Sequence, residues 1–176
     1  MLDIASAIPV LETERLVLRG PKPADFEPIA TFFADEERAW GFGGAIDRPE
    51  AWRWFASMIG HWALRGYGFW VITDKADGTP LGITGLWEPE GWPEPKLGWG
   101  VFEGAEGRGI AYEAAMAARA HAYDTLGLPA LSSNIFPGNG RSIALAERMG
   151  PRFEREYDNV KHGRELVYRH PRPEAA

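Results

Sequence analysis

Alternating apolar and polar residues predict strands in several parts of this chain. Residues 13–19 alternate as a half-buried strand does. Residues 67–73 and 81–87 read as two strands around residues 74–79, where Asp77-Gly78 is a strong hairpin signal. Further strands are predicted at residues 96–102, 131–136, 153–157 and 165–169.

Helical spacing of apolar residues separates these strands. Residues 23–33 predict a helix with Pro near its start, and Asp47 is placed to cap a second helix. A third, alanine-rich helix is predicted over residues 109–126, and a fourth from Ser142 onward. The predicted order is β-α-α-β-β-β-α-β-α-β-β. The apolar faces predicted for the first two helices are Phe26, Ile29, Ala30 and Phe33, and then Trp52, Phe55, Ile59 and Trp62 or Ala63.

Length and composition narrow the class of protein. A chain of 176 residues with 45% hydrophobic residues predicts one domain, over residues 11–170, with flexible termini at 1–10 and 171–176. The lack of cysteine excludes disulfides, thiolate metal sites and a cysteine nucleophile, and it fits the cytoplasm. A net charge of −6 argues against nucleic acid as a partner and favours a cationic substrate.

The sequence pattern also argues against a membrane protein and a metal-binding protein. No apolar run approaches the ~20 residues of a membrane helix, so no membrane partner is expected. The four histidines lack metal-ligand spacing, and we therefore predict no metal.

The most informative segment is a glycine-rich loop, Glu106-Gly107-Arg108-Gly109-Ile110-Ala111, between the strand at 96–102 and the alanine-rich helix. Backbone N–H groups at such a helix start suit a phosphate group, and Arg108 adds positive charge. The P-loop string Gly-x-x-x-x-Gly-Lys-Ser/Thr is absent, and no Gly-x-Gly-x-x-Gly follows an early strand. The loop therefore predicts a phosphorylated ligand of another kind.

Three landmarks together resemble one family. The loop is similar to Gln/Arg-x-x-Gly-x-Gly/Ala, the pyrophosphate loop of GNAT acetyltransferases, at five of its six positions. Residues 139–150 resemble the family's Asn-x-x-Ser/Ala helix, and residues 11–19 resemble the first strand of its RimJ/RimL-like branch. The resemblance implies an α/β (α+β) GNAT fold with a mixed sheet of about seven strands. That sheet would splay between the strands ending at Phe102 and Phe136, where acetyl-CoA would enter.

The resemblance also implies roles for residues along this gap. Backbone groups of Val101 and Phe102 would pair with pantetheine, and Asn139 would contact the cofactor arm or cap its helix. The family's tyrosine proton donor is replaced by Ala146, so Ser142 becomes the candidate donor, with a capping or packing serine as the alternative. The pyrophosphate would bind to the loop residues Gly107, Arg108, Gly109, Ile110 and Ala111.

Three assignments stay open at this stage. Glu88 is the candidate general base, with Glu90, Glu94 and Glu103 as rivals and a solvated surface acid as the alternative for each. Glu106 departs from the family pattern, so it points to solvent, pairs with Arg108 or Arg148, or weakens CoA binding. Gly98 and Gly100 indicate a bulge, a close backbone approach or room for a neighbouring tryptophan.

The implied activity is acetyl-CoA-dependent transfer of an acetyl group to a primary amine by direct attack. The acceptor would be a protein N-terminus or a small amine, bound by residues 40–54 and 87–92, whose aromatic rings favour a cation or an aromatic ring. A non-catalytic acyl-CoA sensor is the second hypothesis, supported by Ala146 and Glu106. A longer acyl donor is the third. Aromatic content and family habit are consistent with a homodimer.

Overall fold

The computed structural model describes residues 4–172, which form one mixed sheet with helices on both faces. The predicted segments at residues 1–3 and 173–176 lie outside the described residues. The strands are β1 (Leu11–Glu12), β2 (Leu16–Arg19), β3 (Phe69–Asp74), β4 (Pro80–Trp87), β5 (Lys96–Val101), β6 (Ser132–Ile135), β7 (Arg152–Asn159) and β8 (Gly163–Arg169). The α-helices are α1 (Phe26–Ala34), α2 (Glu36–Ala39), α3 (Arg48–Arg65), α4 (Ile110–Ala120) and α5 (Gly140–Met149).

The sheet order is β1-β2-β3-β4-β5-β6-β8-β7. All neighbours are antiparallel except β5 and β6, which are parallel and share a single pair, Lys96 with Ser132. Beyond that pair the two strands separate, while β5 stays paired with β4 from Lys96 to Val101. The predicted splayed GNAT-type sheet is therefore confirmed. The sheet has eight strands rather than about seven, because the short β1 pairs with β2 at the edge.

Two apolar layers cover the sheet, because side chains alternate across each strand. On β3, Trp70 and Ile72 face α4, whereas Phe69 and Val71 face α1 and α3. The α4 layer includes the small residues Ala114, Ala115 and Ala118, which let that helix lie close to the sheet. Among residues 4–172 no helix is long and apolar enough to cross a membrane.

Helix α3 begins at the predicted cap, where the Asp47 side chain accepts from Glu50 N–H, and the face predicted for it is right at Phe55 and Trp62 but wrong at Trp52. The buried residues are Ala51, Phe55, Met58, His61 and Trp62, whereas Ala63 is exposed. Trp52 is 53% exposed, because its ring packs at the surface edge-on against Phe26, with centroids 5.0 Å apart. The aromatic residues of α3 are spread too widely around the helix to define its buried face, and the segments that pack against α3 determine which of them are buried.

Two other segments differ in detail from their predictions. Helix α4 stops at Ala120 and continues as a wider turn over residues 121–125. Within the predicted lead-in, residues 4–7 form a 3-10 turn, Ile8 is buried, and Trp70 Nε1–H donates to the Pro9 carbonyl at 2.7 Å. Ile8 and the Pro9 carbonyl thus contact the rest of the fold, whereas Val10 is exposed.

Candidate active site

A cleft of about 390 Å³ opens between β5, α5 and the loop before α4. A smaller cavity of about 50 Å³ continues it into the gap between β5 and β6. The two share Gly41, Phe42, Trp99, Asn139 and Ser142. Cleft and cavity therefore form one continuous path from the glycine-rich loop to the point where the strands separate.

The free edge of β5 lies along this path. Phe102 is bonded elsewhere, since its N–H donates to Leu81 at 2.8 Å and its carbonyl accepts from Ala105 N–H at 3.1 Å. Backbone groups alternate in direction along a strand, so those of Trp99 and Val101 face the gap. The Leu97 carbonyl agrees, because it accepts from Ser133 Oγ on β6 at 2.7 Å. The expectation for Phe102 is corrected, and Trp99, which sequence reasoning missed, takes its place.

The glycines of β5 make room for phenylalanines. A Cβ at Gly98 would meet the Phe69 ring at 3.0 Å, and one at Gly100 would meet Phe32 and Phe42 at 2.9 and 3.0 Å. The β4–β5 pairing runs without a bulge. Neither the bulge nor the neighbouring tryptophan accounts for these glycines.

The loop before α4 has the shape of an anion site. Gly107 and Gly109 take positive φ angles of 71° and 76°, which turn the chain into the helix. The amides of the first helical turn have no acceptor within the helix. Gly107 and Ala111 line the cleft, while the Ile110 side chain is buried in the core. The residues present therefore fit a pyrophosphate, held by backbone groups.

Arg108 lies on the other side of this loop. Its guanidinium is 3.8 Å from Asp74 and lines a separate cavity with Arg15 and Lys75. The cleft contains Arg38 of α2 instead, and sequence reasoning gave no signal for it. Arg38 stands 68 residues before its partner Glu106 in the chain, so only the fold brings the two together.

Glu106 lines the cleft and pairs with Arg38, with Nη2 2.8 Å from Oε1. Burial raises the pKa of Glu106, but backbone hydrogen bonds and Arg38 lower it further, so the net pKa lies below the usual value. Across the cleft Arg141 of α5 pairs with Glu37. Helix α2 is thus joined by ion pairs to both walls, and the partner of Glu106 is neither Arg108 nor Arg148.

Asn139 and Ser142 lie where the cleft meets the cavity. Asn139 Oδ1 accepts from Ser142 N–H at 3.2 Å, which caps α5. Among residues 4–172 no hydrogen bond is formed by the Ser142 hydroxyl. Ala146 is buried against Ile135 and Tyr168. Ser142 is therefore the α5 hydroxyl beside the gap.

The four candidate bases are held outside the two cavities. Glu88 accepts from the Tyr67 hydroxyl, and its own N–H donates to His61 Nε2 at 2.9 Å. Burial raises the pKa of Tyr67, which keeps it a donor to Glu88. Glu94 binds Arg169 at 2.7 Å, Glu103 is exposed near Arg38, and Glu90 is exposed. The structure does not bring Glu88 to the gap beside Ser142.

Polar groups that sequence reasoning passed over lie at the closed end of the gap. Lys96 lines the cavity with Ser133 and Asn134. His162 lies near this end, between the rings of Trp92 and Phe136. Burial, with Lys96 and Lys161 nearby, lowers the pKa of His162 to about 4, so its imidazole is neutral at pH 7.

The opening motif that carried part of the resemblance supports the loop. Thr13 Oγ1 and Arg15 Nε donate to the carboxylate of Glu113 in the first turn of α4, at 2.6 and 2.7 Å. Arg15 Nη1 also donates to the Arg108 carbonyl at 2.9 Å. The edge of the sheet thereby holds the start of α4 in place.

Comparison with known proteins agrees with this geometry. The family model for the acetyltransferase (GNAT) domain matches residues 15–152. The chain therefore belongs to the GNAT acetyltransferase family.

Similar proteins include enzymes named for different acceptors. A solved acetyltransferase from Agrobacterium tumefaciens is 39% identical, with a TM-score of 0.87 over 94% of this chain and 95% of that one. The L-2,4-diaminobutyric acid acetyltransferase of Streptomyces avermitilis is 33% identical over 61% of this chain and 68% of its own. The ribosomal-protein-S5-alanine acetyltransferase of Vibrio fischeri is 16% identical, with a TM-score of 0.72 over 94% and 98%, a likeness that shows the fold alone.

Proposed function

We propose that this chain is an acetyl-CoA-dependent N-acetyltransferase that acetylates a primary amine by direct attack within a ternary complex. The observation that carries the proposal is the continuous path from the loop at Gly107 to the gap beside Ser142. Acetyl-CoA supplies the activated acetyl group. The acceptor is a small amine or a protein N-terminus, the two classes for which the similar enzymes are named.

Different residues of this chain would bind acetyl-CoA and transfer the proton. Amides of Gly107, Gly109, Ile110 and Ala111 bind the pyrophosphate, and backbone groups of Trp99 and Val101 hold the pantetheine arm. The Ser142 hydroxyl donates the proton that the departing thiolate takes. Asn139 fixes the position of Ser142 by capping α5.

A strong general base is not required for every acceptor. At pH 7 an α-amine with a pKa near 8 costs about 1.4 kcal/mol to deprotonate, against about 4.6 for a lysine-type amine near 10.4. Glu88 already accepts a hydrogen bond from the Tyr67 hydroxyl. Of the proposed catalytic groups, it is therefore the one with the least support as a general base.

A thiol-release assay with acetyl-CoA tests the proposal. Acceptors would be free peptide N-termini, amino acids including L-2,4-diaminobutyrate, polyamines and aminoglycosides. We expect thiol release with at least one acceptor, and initial-rate lines that intersect as a ternary complex requires. Parallel lines would contradict direct attack, and release without any acetylated amine would contradict the transferase.

A non-catalytic acyl-CoA sensor is the second candidate. Two observations favour it, the buried Ala146 in place of a tyrosine and the carboxylate of Glu106 in the cleft. It predicts that calorimetry shows acetyl-CoA binding while no acceptor is acetylated. Preference for a longer acyl donor, a location in the cytoplasm and a homodimer stay predictions.

A further inference from the structure

The closed end of the gap contains a lysine at a special position. Lys96 is the first residue of β5 and forms the one backbone pair that joins β5 to β6. Its side chain lines the same cavity as Ser142 and Asn139. Its ammonium lies 4.1 Å above the ring of Trp92. Lys96 thus faces the space next to the groups proposed to act on the acceptor.

The charge of Lys96 has no close counterion. Among residues 4–172 its Nζ forms no ion pair within 4.0 Å, whereas most lysines and arginines near the cleft do. Glu165 is the acid that acts on it, but that carboxylate is buried and accepts from Asn134 Nδ2 at 2.8 Å. A half-buried charge without a partner is costly, so this position favours a ligand that supplies one.

The charged groups around Lys96 leave this end of the gap with a positive charge. Burial lowers the pKa of Lys96 to about 8, with Glu165 raising it and Lys161 lowering it. At pH 7 about nine in ten of the Lys96 side chains are therefore charged. His162 is neutral, and Lys161 is a second cation. The exposed Lys161 therefore adds positive charge near Lys96 without neutralising it.

The same geometry changes the expectation for the acceptor. The aromatic rings of this region led us to expect a cation or an aromatic ring. The Trp92 face is already covered by the protein's own Lys96. The group that complements this end of the gap is negatively charged.

We propose that Lys96 binds a carboxylate of the acceptor, so that the acceptor is an amine that also carries a carboxylate, of the amino-acid class. This rests on the proposed function and names its substrate class. The carboxylate takes the place of the missing counterion at the closed end of the gap, which holds the amine toward Ser142. Lys96 then determines specificity without exchanging a proton.

Matched pairs of acceptors test the proposal without any variant. Each amino acid is compared with its amide, and L-2,4-diaminobutyrate with 1,3-diaminopropane, in the thiol-release assay. We expect a kcat/KM for the best acid about tenfold to one-hundredfold above that of its partner without the carboxylate, the effect of one charge-assisted contact. Equal values for acids and amides would overturn the carboxylate site and leave the transferase standing.

A binding measurement keeps the two proposals distinguishable. Calorimetry with the same pairs is done on protein saturated with desulfo-CoA, which cannot react. Preference for acids here supports the Lys96 site even where no transfer occurs, in which case only the transferase fails. Amides that bind as tightly as acids would overturn the Lys96 site.

Two variants separate contact from structure. Lys96→Met should raise KM for the acid about tenfold or more, with kcat changed little and KM for the acceptor without a carboxylate unchanged. Lys96→Arg should recover part of the loss. The matched control is Lys22→Met, an exposed lysine before α1. If Lys96→Met raised KM equally for acceptors with and without a carboxylate, the proposal would be contradicted.

Discussion

At the scale of single residues, Glu106 is a carboxylate at the loop position where the resemblance implies Gln or Arg. It lines the cleft beside Gly107 and uses Arg38 as its counterion. A bound pyrophosphate would therefore lie close to the negative charge of Glu106, while the positive charge of Arg38 is already paired with that carboxylate. Glu106→Gln removes the repulsion and one counterion of Arg38, which keeps its contact with Asp35 at 2.9 Å.

We therefore expect Glu106→Gln to bind acetyl-CoA roughly three- to tenfold more tightly, measured by calorimetry. Glu103→Gln is the matched control, since Glu103 is 80% exposed, lies 3.9 Å from the same arginine and does not line the cleft. The control should change the dissociation constant less than about twofold. Weaker binding in Glu106→Gln would show instead that Glu106 positions Arg38 for the ligand.

Ser142 offers a second test at this scale. Its backbone N–H, not its hydroxyl, completes the cap of α5, so Ser142→Ala should fold normally. We expect kcat to fall about one-hundredfold, as for loss of a general acid, with acetyl-CoA binding within about twofold of the original. Ser57→Ala, on the exposed part of α3, is the control. An unchanged kcat would leave Ser142 as a packing residue.

At the scale of elements, Arg15 connects the edge strand to the loop without touching the cleft. Its guanidinium contacts the Glu113 carboxylate and the Arg108 carbonyl, and its backbone N–H, which a substitution keeps, also donates to Glu113. Arg15→Met should lower the free energy of unfolding by about 1 kcal/mol, since half of this side chain is in solvent. It should also weaken acetyl-CoA binding several-fold, because the first turn of α4 loses its support.

Urea denaturation and calorimetry measure these two effects separately. Arg48→Met is the control, because Arg48 and Glu27 form an exposed pair far from the loop. That variant should leave acetyl-CoA binding unchanged. If Arg15→Met destabilised the fold and bound acetyl-CoA normally, Arg15 would have only a structural role.

Elements with clear periodicity could be predicted from the sequence. β3 and β4 around Asp77-Gly78, the α4 start at Gly109 and the α5 cap at Asn139 all follow from local pattern. Contacts between distant segments could not. The contact of Arg38 with Glu106 depends on how α2 packs against the sheet, and the approach of His162 to Lys96 depends on where the turn between β7 and β8 lies, and no spacing in the chain records either.

At the scale of the whole molecule, all four histidines are kept neutral by their surroundings. Burial lowers the pKa of His61 and His121, that of His162 to about 4 and that of His170 to about 3, where Arg119 and Arg169 add to the effect. His170 Nε2 pairs with Ser133 Oγ at 2.9 Å, and that hydroxyl donates to Leu97. Ser133 Oγ therefore accepts from His170, and this contact links β8 to the closed end of the gap.

These histidines predict how stability depends on pH. Their pKa values are lower in the folded state than the unfolded value near 6.5, so the unfolded chain binds more protons below pH 6.5. Stability is therefore full above pH 6.5 and falls as pH drops toward 4, by up to about 1.4 kcal/mol per pH unit for each of His162 and His170. The acids with lowered pKa values, such as Glu113, also stabilise the folded protein, but that stabilisation is lost only as the pH falls below their ordinary pKa near 4.3.

Urea denaturation at about pH 7.5, 6.5 and 5 measures this loss before the carboxylates titrate. His170→Gln should fold less stably at pH 7.5, since it disturbs the contact with Ser133, but its stability should fall less steeply toward pH 5. His162→Gln should reduce the slope in the same way, through a side chain that lies between the Trp92 and Phe136 rings and takes no part in the contact of His170 with Ser133. Unchanged slopes in both variants would mean that the pKa values of these histidines are the same in the folded and unfolded protein, and the acid sensitivity would then belong to the carboxylates.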